Sequence, residues 1–168
     1  MKRAVIITTD GFRDEEFIYP YYRLLEAGFT VDVATRNGEV AYGKFGVPAK
    51  ANTKTGDLSQ SDYDLAYIPG GLEAPDNVRS WDEVLVFLRE MNKAKKVIAA
   101  ICHGPWVLIS AEIVKGRKMT AYWTMAADVK NSGAEYMPKE PVVVDGNLIT
   151  SPHYNNNPEF MCAILSKF

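Results

Sequence analysis

Cys102 and His103 stand side by side in the stretch VIAAICHGPWVL, residues 97–108, where a run of small apolar residues stops and a second apolar segment begins. A thiol beside an imidazole at such a junction points to nucleophilic chemistry, with the thiolate attacking and the imidazole stabilising it or shuttling protons. Gly104 permits a tight turn, and Pro105 suits the first turn of a helix. The pattern is that of a nucleophile elbow, a reactive side chain on a sharp strand-to-helix turn, with Cys in place of the usual Ser. The free N–H groups of a helix start favour an anion, so the thiol is expected to titrate low. Neighbouring residues do not face each other on a helix, so His103 meets the sulfur only if the turn is strained. The plainer use of the same residues is a small buried hydrophobe and a satisfied histidine. Cys162 lies in an apolar stretch near the C-terminus and is expected to be structural.

Further groups fall where the same edge of a sheet would gather them. Asp14, Glu15 and Glu16 follow the first apolar run. At a helix start such acids complement the dipole. One turned inward toward Cys102 would have its pKa raised by burial and would serve as general acid or base. Gly70 and Gly71 interrupt YIPGGLEAPDNVR. They let the backbone approach closely, and two amides beside the sulfur would make an oxyanion hole, although an ordinary glycine turn has the same sequence. Asp76 sits on the loop just beyond, and Tyr122 is either a rim residue of the site or core packing. His153 is a surface loop residue or a contact with substrate.

The elements that must position these groups read as alternating strands and helices. RAVIIT suits a strand buried on both faces of a parallel sheet. DEEFIYPYYRLLEAGF keeps helical spacing up to a stop at Gly28, with a kink or broken turn expected at Pro20, and FTVDVAT returns as a strand. GEVAYGKFGVPAKANT holds two short strands outside the main sheet. DLAYIPGG and VIAAI are core strands separated by the amphipathic helix SWDEVLVFLREMNKAKK, and a helix from about 104 to 113 follows the second. MTAY is expected to be a strand, MAADVKNSGAE a short helix, VVVDGNLIT a hairpin turning on Asp-Gly, and NPEFMCAILSKF a closing helix. Together they describe one domain over residues 1–168, a three-layer α/β sandwich with right-handed crossovers. Active sites of such open sheets collect at the carboxyl ends of the strands, where Cys102 lies.

Composition narrows the chemistry. The chain is 168 residues, 47% hydrophobic and 24% charged, with a net charge of -2 and no basic block. That excludes an electrostatic footprint for nucleic acid or an anionic membrane, and leaves a small molecule or a peptide as the expected partner. Two cysteines and two histidines fit no zinc pattern, so no metal or cofactor is expected. No run approaches the roughly 20 apolar residues of a membrane span, and MKRAVIITTDGF has too short an apolar core for a signal peptide. A cytoplasmic protein with reduced thiols is expected.

DEEFIYPYYRLLEAG, YIPGGLEAPDNVR, AAICHGPWVLISAEIVKGRKMTAY and VVVDGNLITS together resemble the ThiJ/PfpI superfamily, and specifically its PfpI-type intracellular peptidase and deglycase branch. The resemblance covers most of the chain in the same order. It implies a flavodoxin-like sandwich with a mostly parallel central sheet, as in class I glutamine amidotransferases. It implies that Cys102 is the nucleophile, that Glu16 is the carboxyl bonded to it, and that His103 is its paired histidine. Gly71 and the His103 amide match the oxyanion donors, and Asp76 falls where the family carries a Glu contributed by a neighbouring subunit. A homo-oligomer, a dimer or hexamer with the site near the interface, is implied too. Asp76 is one methylene shorter than that Glu, the GGLEAPD loop is one residue longer than in PfpI-type chains, and TSPHYNNNPEF departs from the family's Ser-Arg-rich pattern. The implied activity is a cysteine hydrolase or a glyoxalase/deglycase acting on glyoxal-type carbonyls. The alternative is a non-catalytic thiol redox sensor or stress chaperone. A glutaminase would need an acid two residues after a downstream His, and His153 is followed by Tyr154 and Asn155.

Overall fold

The computed structural model describes residues 2–168. The strand β1 (Arg3–Ile7), the helix α1 (Asp14–Glu26) and the strand β2 (Thr30–Thr35) form the opening unit. A small hairpin, β3 (Ala41–Tyr42) with β4 (Pro48–Ala49), leads to β5 (Thr53–Lys54). Then come β6 (Leu65–Ile68), α2 (Glu73–Val78), α3 (Asp82–Lys93), β7 (Val97–Ile101) and α4 (Pro105–Ser110). The two-residue strands β8 (Lys118–Met119) and β9 (Glu135–Tyr136) pair with each other and flank α5 (Ala126–Asn131). The hairpin β10 (Val143–Asp145) and β11 (Leu148–Ser151) precedes α6 (Asn157–Leu165).

Seven strands make the central sheet, in the order β10-β11-β7-β6-β1-β2-β5, and every pair except β10–β11 is parallel. Residues of β1 alternate between the two faces. Val5 and Ile7 pack with Val84, Leu88 and Met91 of α3, and Ala4 and Ile6 with Phe17 and Leu24 of α1 and Phe160 and Ile164 of α6. Both faces are therefore covered, which explains why β6 and β7 are buried at every position and read as unbroken apolar runs. The three-layer α/β expectation is met. The chain runs outward from β1 to β2 and then returns to β6 on the other side, so the order reverses between β1 and β6. The carboxyl ends of strands at such a reversal open a crevice, and the loops after β1, β6 and β7 all end there.

Three local expectations differ from the structure. The strand expected over 119–122 stops at Met119. Beyond it the backbone is tied crosswise: Thr120 N donates to Thr150 Oγ1 at 2.9 Å, and Tyr122 N donates to the Cys102 carbonyl at 2.9 Å. The hairpin turns on Gly146 and Asn147 rather than Asp-Gly, because Asp145 is already paired with Leu148, and Gly146 takes φ +58°. Finally, α1 runs through Pro20 without ending. A proline removes the donor that would bond the carbonyl four residues earlier, here that of Glu16. The buried Tyr67 hydroxyl donates to that carbonyl at 2.8 Å and takes the missing partner's place.

Tyr67→Phe leaves this carbonyl unpaired and is expected to lower the free energy of unfolding by about 1–3 kcal/mol, read from urea unfolding midpoints. An unchanged midpoint would show that the hydroxyl does not compensate for Pro20.

Candidate active site

Cys102 follows β7 directly and takes φ +59°, one of three non-glycine residues among those described in the left-handed region. Such a conformation costs about 1–3 kcal/mol and persists only where its surroundings enforce it. Here Cys102 N donates to the Ser151 carbonyl at 2.9 Å, and Gly104 N to the Ile101 carbonyl at 2.8 Å. A Cβ at Gly104 would come within 2.6 Å of the Ile68 carbonyl oxygen, so only glycine lets the chain turn this closely over β6. The strain brings the adjacent side chains together, with Cys102 Sγ 3.3 Å from His103 Nδ1.

Of the three acids after β1, each has a different task. Asp14 is buried and accepts from the backbone N–H groups of Phe45 and Val47, at 2.9 and 3.0 Å, fixing the β3–β4 turn. Glu15 pairs with Arg13 at 2.7 Å. Glu16 turns inward and has no exposed surface. Its Oε2 accepts from Gly70 N at 2.8 Å, its Oε1 has no hydrogen-bond partner, and the carboxyl and the Cys102 thiol shift one another's titration. A Cβ at Gly70 would lie within 2.5 Å of Cys102 Cβ and would also strike the Glu16 carboxyl, so the glycine is what lets acid, amide and thiol share one spot. The backbone N–H groups of Gly71 and His103 are the amides that favour the ionised sulfur. Gly71, at φ +90°, bridges to Phe12, and a Cβ there would meet the Arg13 nitrogen at 2.8 Å.

Electrostatics separate the roles. Burial drives the Glu16 carboxyl up to about 8, against the pull of the Gly70 N–H and the thiol, so it is neutral at pH 7. Burial also pushes the Cys102 thiol up, and an ionised Glu16 pushes it further, while the amides of Gly71 and His103 pull it down. Burial of the sulfur thus works against the low-titrating thiol expected from a helix start, with the amides of Gly71 and His103 pulling the other way. Burial lowers His103, and the charge of Asp128 raises it.

Cys102, Glu16, Gly71, His103 and Tyr122 all line one cavity of about 600 Å³ at the carboxyl edge of the sheet. His153 lines it as well, with its Nδ1 accepting from Asn155 N at 3.2 Å. Asp76 does not line it and is exposed on α2. Sequence reasoning missed Arg13, whose guanidinium lies 4.5 Å from the Tyr154 ring centroid, and Thr124, whose hydroxyl is 3.4 Å from His103 Nε2. Arg13 carried no signal, and Thr124 lies two residues past the rim tyrosine that was singled out. Cys162 is free and exposed on α6. Among the described residues no three His, Cys, Asp or Glu side chains gather as a metal would require, and no helix is long and apolar enough to cross a membrane.

A cysteine on a strained turn, a neutral buried carboxyl and paired backbone donors define a nucleophile-elbow protein on a parallel α/β sheet. The chain belongs to the DJ-1/PfpI family, which it matches over residues 2–167. It is 38% identical to Deglycase PfpI of Pyrococcus furiosus over 151 residues, covering 90% of each chain. It is 35% identical to Protein/nucleic acid deglycase 2 of Escherichia coli over 161 residues, covering 95% of this chain and 93% of that one. A crystal structure of a two-domain protein from Anabaena variabilis, with DJ-1/ThiJ/PfpI-like and ferritin-like domains, superposes with a TM-score of 0.96 at 37% identity. The match covers 99% of this chain and about half of that one, 48%.

The raised carboxyl has a measurable consequence. Glu16 binds its proton in the folded chain up to about pH 8, whereas the unfolded chain releases it near 4.5. Between those values the folded state holds one more proton, so stability falls as pH rises, by about 1.4 kcal/mol per pH unit for that proton, and the loss ends above pH 8. Subtracting the profile of Glu16→Gln from that of the wild type should isolate this slope in urea unfolding from pH 5 to 8. Parallel profiles would mean that Glu16 is ionised in the folded protein.

Proposed function

We propose that this chain is a cysteine-dependent enzyme of the PfpI type, a glyoxalase or deglycase that converts glyoxal-type carbonyls and their adducts. The observation that carries this reading is Cys102 at φ +59° in the cavity lining, with His103 Nδ1 at 3.3 Å and the neutral Glu16 carboxyl lining the same cavity. The names of the relatives from P. furiosus and E. coli support it. The chemistry needs each part. Cys102 loses its proton to His103 and adds to the aldehyde carbon, while the carbonyl electron pair moves to oxygen. The amides of Gly71 and His103 receive that oxygen, and Glu16 supplies its proton. A base then takes the hydrogen from that carbon and delivers a proton to the neighbouring carbon, while the hydroxyl proton passes to the neighbouring carbonyl oxygen, which converts the adduct to a 2-hydroxyacyl thioester. Water then cleaves the C–S bond, releasing a 2-hydroxy acid and the free thiol. A cavity of about 600 Å³ suits a small carbonyl better than an extended peptide.

Asp76, exposed on α2, is suited to act across an interface in a homo-oligomer, and Leu72 and Trp123, both 60% exposed, offer apolar surface for one.

Methylglyoxal, supplied without glutathione, should be converted to lactate by the wild type. Cys102→Ser is expected to lose at least ~10³-fold and Glu16→Gln ~10²–10⁴-fold. Lactate formation that persists in Cys102→Ser, or no turnover in the wild type, would sink the carbonyl-enzyme reading. The second result would make peroxide oxidation of Cys102 the next assay.

A further inference from the structure

The proposed steps at Cys102 use only part of the cavity lining. Arg13, Lys44, His153 and Tyr154 line it too and take no part in them. Arg13 is half-buried, and its guanidinium is fixed from several directions. Nε and Nη2 donate to the two Glu15 carboxylate oxygens at 2.7 and 3.0 Å. The rings of Tyr154 and Phe45 pack on it, with centroids 4.5 and 5.0 Å from Cζ. Phe45 is itself placed by its backbone bond to Asp14. Among the described residues Nη1 has no hydrogen-bond partner. A fork held in this way loses little freedom when it binds a ligand.

His153 packs on the same tyrosine, with ring centroids 3.9 Å apart. Its Nδ1 accepts from Asn155 N at 3.2 Å, so the neutral ring carries its proton on Nε2. A proton on Nδ1 would set two donors against each other. Burial and the charge of Arg13 also hold the ring neutral, against the opposing charge of Glu15. Nε2–H is therefore a donor without a partner among the described residues. Asn157 Nδ2 donates to the Glu15 carbonyl at 2.9 Å and so ties the segment 153–157 to the chain beside Arg13. The free polar atoms of this wall are thus donors from two elements that are joined to each other.

We propose that Arg13 and His153 form a subsite for a carboxylate, so that the substrates are glyoxal-type carbonyls carrying an acid group away from the reacting carbon. This rests on the carbonyl-enzyme reading of Cys102. One carboxylate oxygen accepts from Arg13 Nη1 and the other from His153 Nε2. Glu15 offsets the charge of Arg13, and Glu73, which also lines the cavity, offsets that of the exposed Lys44. The wall therefore selects by directed N–H donors and not by a net positive field.

Two measurements test this. The first compares kcat/KM for 4,5-dioxopentanoate, a 2-oxoaldehyde with a terminal carboxylate, against methylglyoxal. The ratio should favour the acid in the wild type and fall by about 10–100-fold in Arg13→Met. His153→Leu should lower it in the same direction, and His153→Gln, whose amide N–H reaches the place of Nε2, should restore most of it. The second measurement needs no turnover. 4-Oxopentanoate should shift the His153 ring C–H resonance saturably in NMR, with His153→Gln assigning the signal. Pentan-2-one, which has a methyl group in place of the carboxylate, should bind at least ~10-fold more weakly. Equal affinity for acid and ketone overturns the proposal, as does a folded Arg13→Met protein that keeps the wild-type preference for the acid. If Arg13→Met does not fold, His153→Leu decides in the same way. A protein that turns over neither aldehyde but binds 4-oxopentanoate through Arg13 fails the proposed reaction and not the subsite.

Discussion

A carboxyl with no exposed surface organises this site. Burying Glu16 as an anion would be costly, so it is kept protonated, and a neutral acid can sit against a thiol without repelling it. The fold specifies its position through both backbone and side chain. Pro20 frees the Glu16 carbonyl and Tyr67 reoccupies it, while Gly70 N–H holds Oε2. These contacts come from α1, β6 and the loop after β6, so the acid is fixed where the strand order reverses. A misplaced acid would require one of these packed elements to move.

The elbow depends on glycine for a different reason. Its backbone strain at Cys102 is paid by close approaches that no side chain would allow: Gly104 over the Ile68 carbonyl and Gly70 against Cys102 Cβ. Both lie beside β6 and β7, which are buried at every position and cannot shift to relieve a clash. The rigid centre of the sheet therefore imposes the strained dihedral, and the dihedral brings adjacent side chains into contact. Neighbours on a regular helix would point apart.

The sequence carries the sheet well, because parallel strands buried on both faces leave unbroken apolar runs such as VIAAI, which matches β7 at both ends. It also carries Cys102, Glu16 and the glycine pair, since strand-end positions at a reversal converge. Where it falls short, the deciding contacts are distant in sequence. Thr150 and the Cys102 carbonyl convert the expected strand over 119–122 into a tethered crossing. Tyr67, 51 residues from Glu16, lets Pro20 stay inside α1. The thiol illustrates the same limit. A helix N-terminus is visible in the sequence and argues for a low-titrating cysteine, whereas burial of the sulfur beside a second acid depends on packing that no local pattern encodes.

That packing changes how the nucleophile must work. In the proposed reaction, desolvation of the thiol means that its proton leaves for His103 as the substrate arrives. Two features bear on this transfer in the structure itself. Burial depresses His103, which keeps it neutral but makes it a weaker base. Glu16 is already protonated, so the new thiolate gains a hydrogen-bond donor instead of meeting a like charge. Thiol and carboxyl then titrate as a pair, and the apparent pKa values of any reaction at Cys102 belong to both groups.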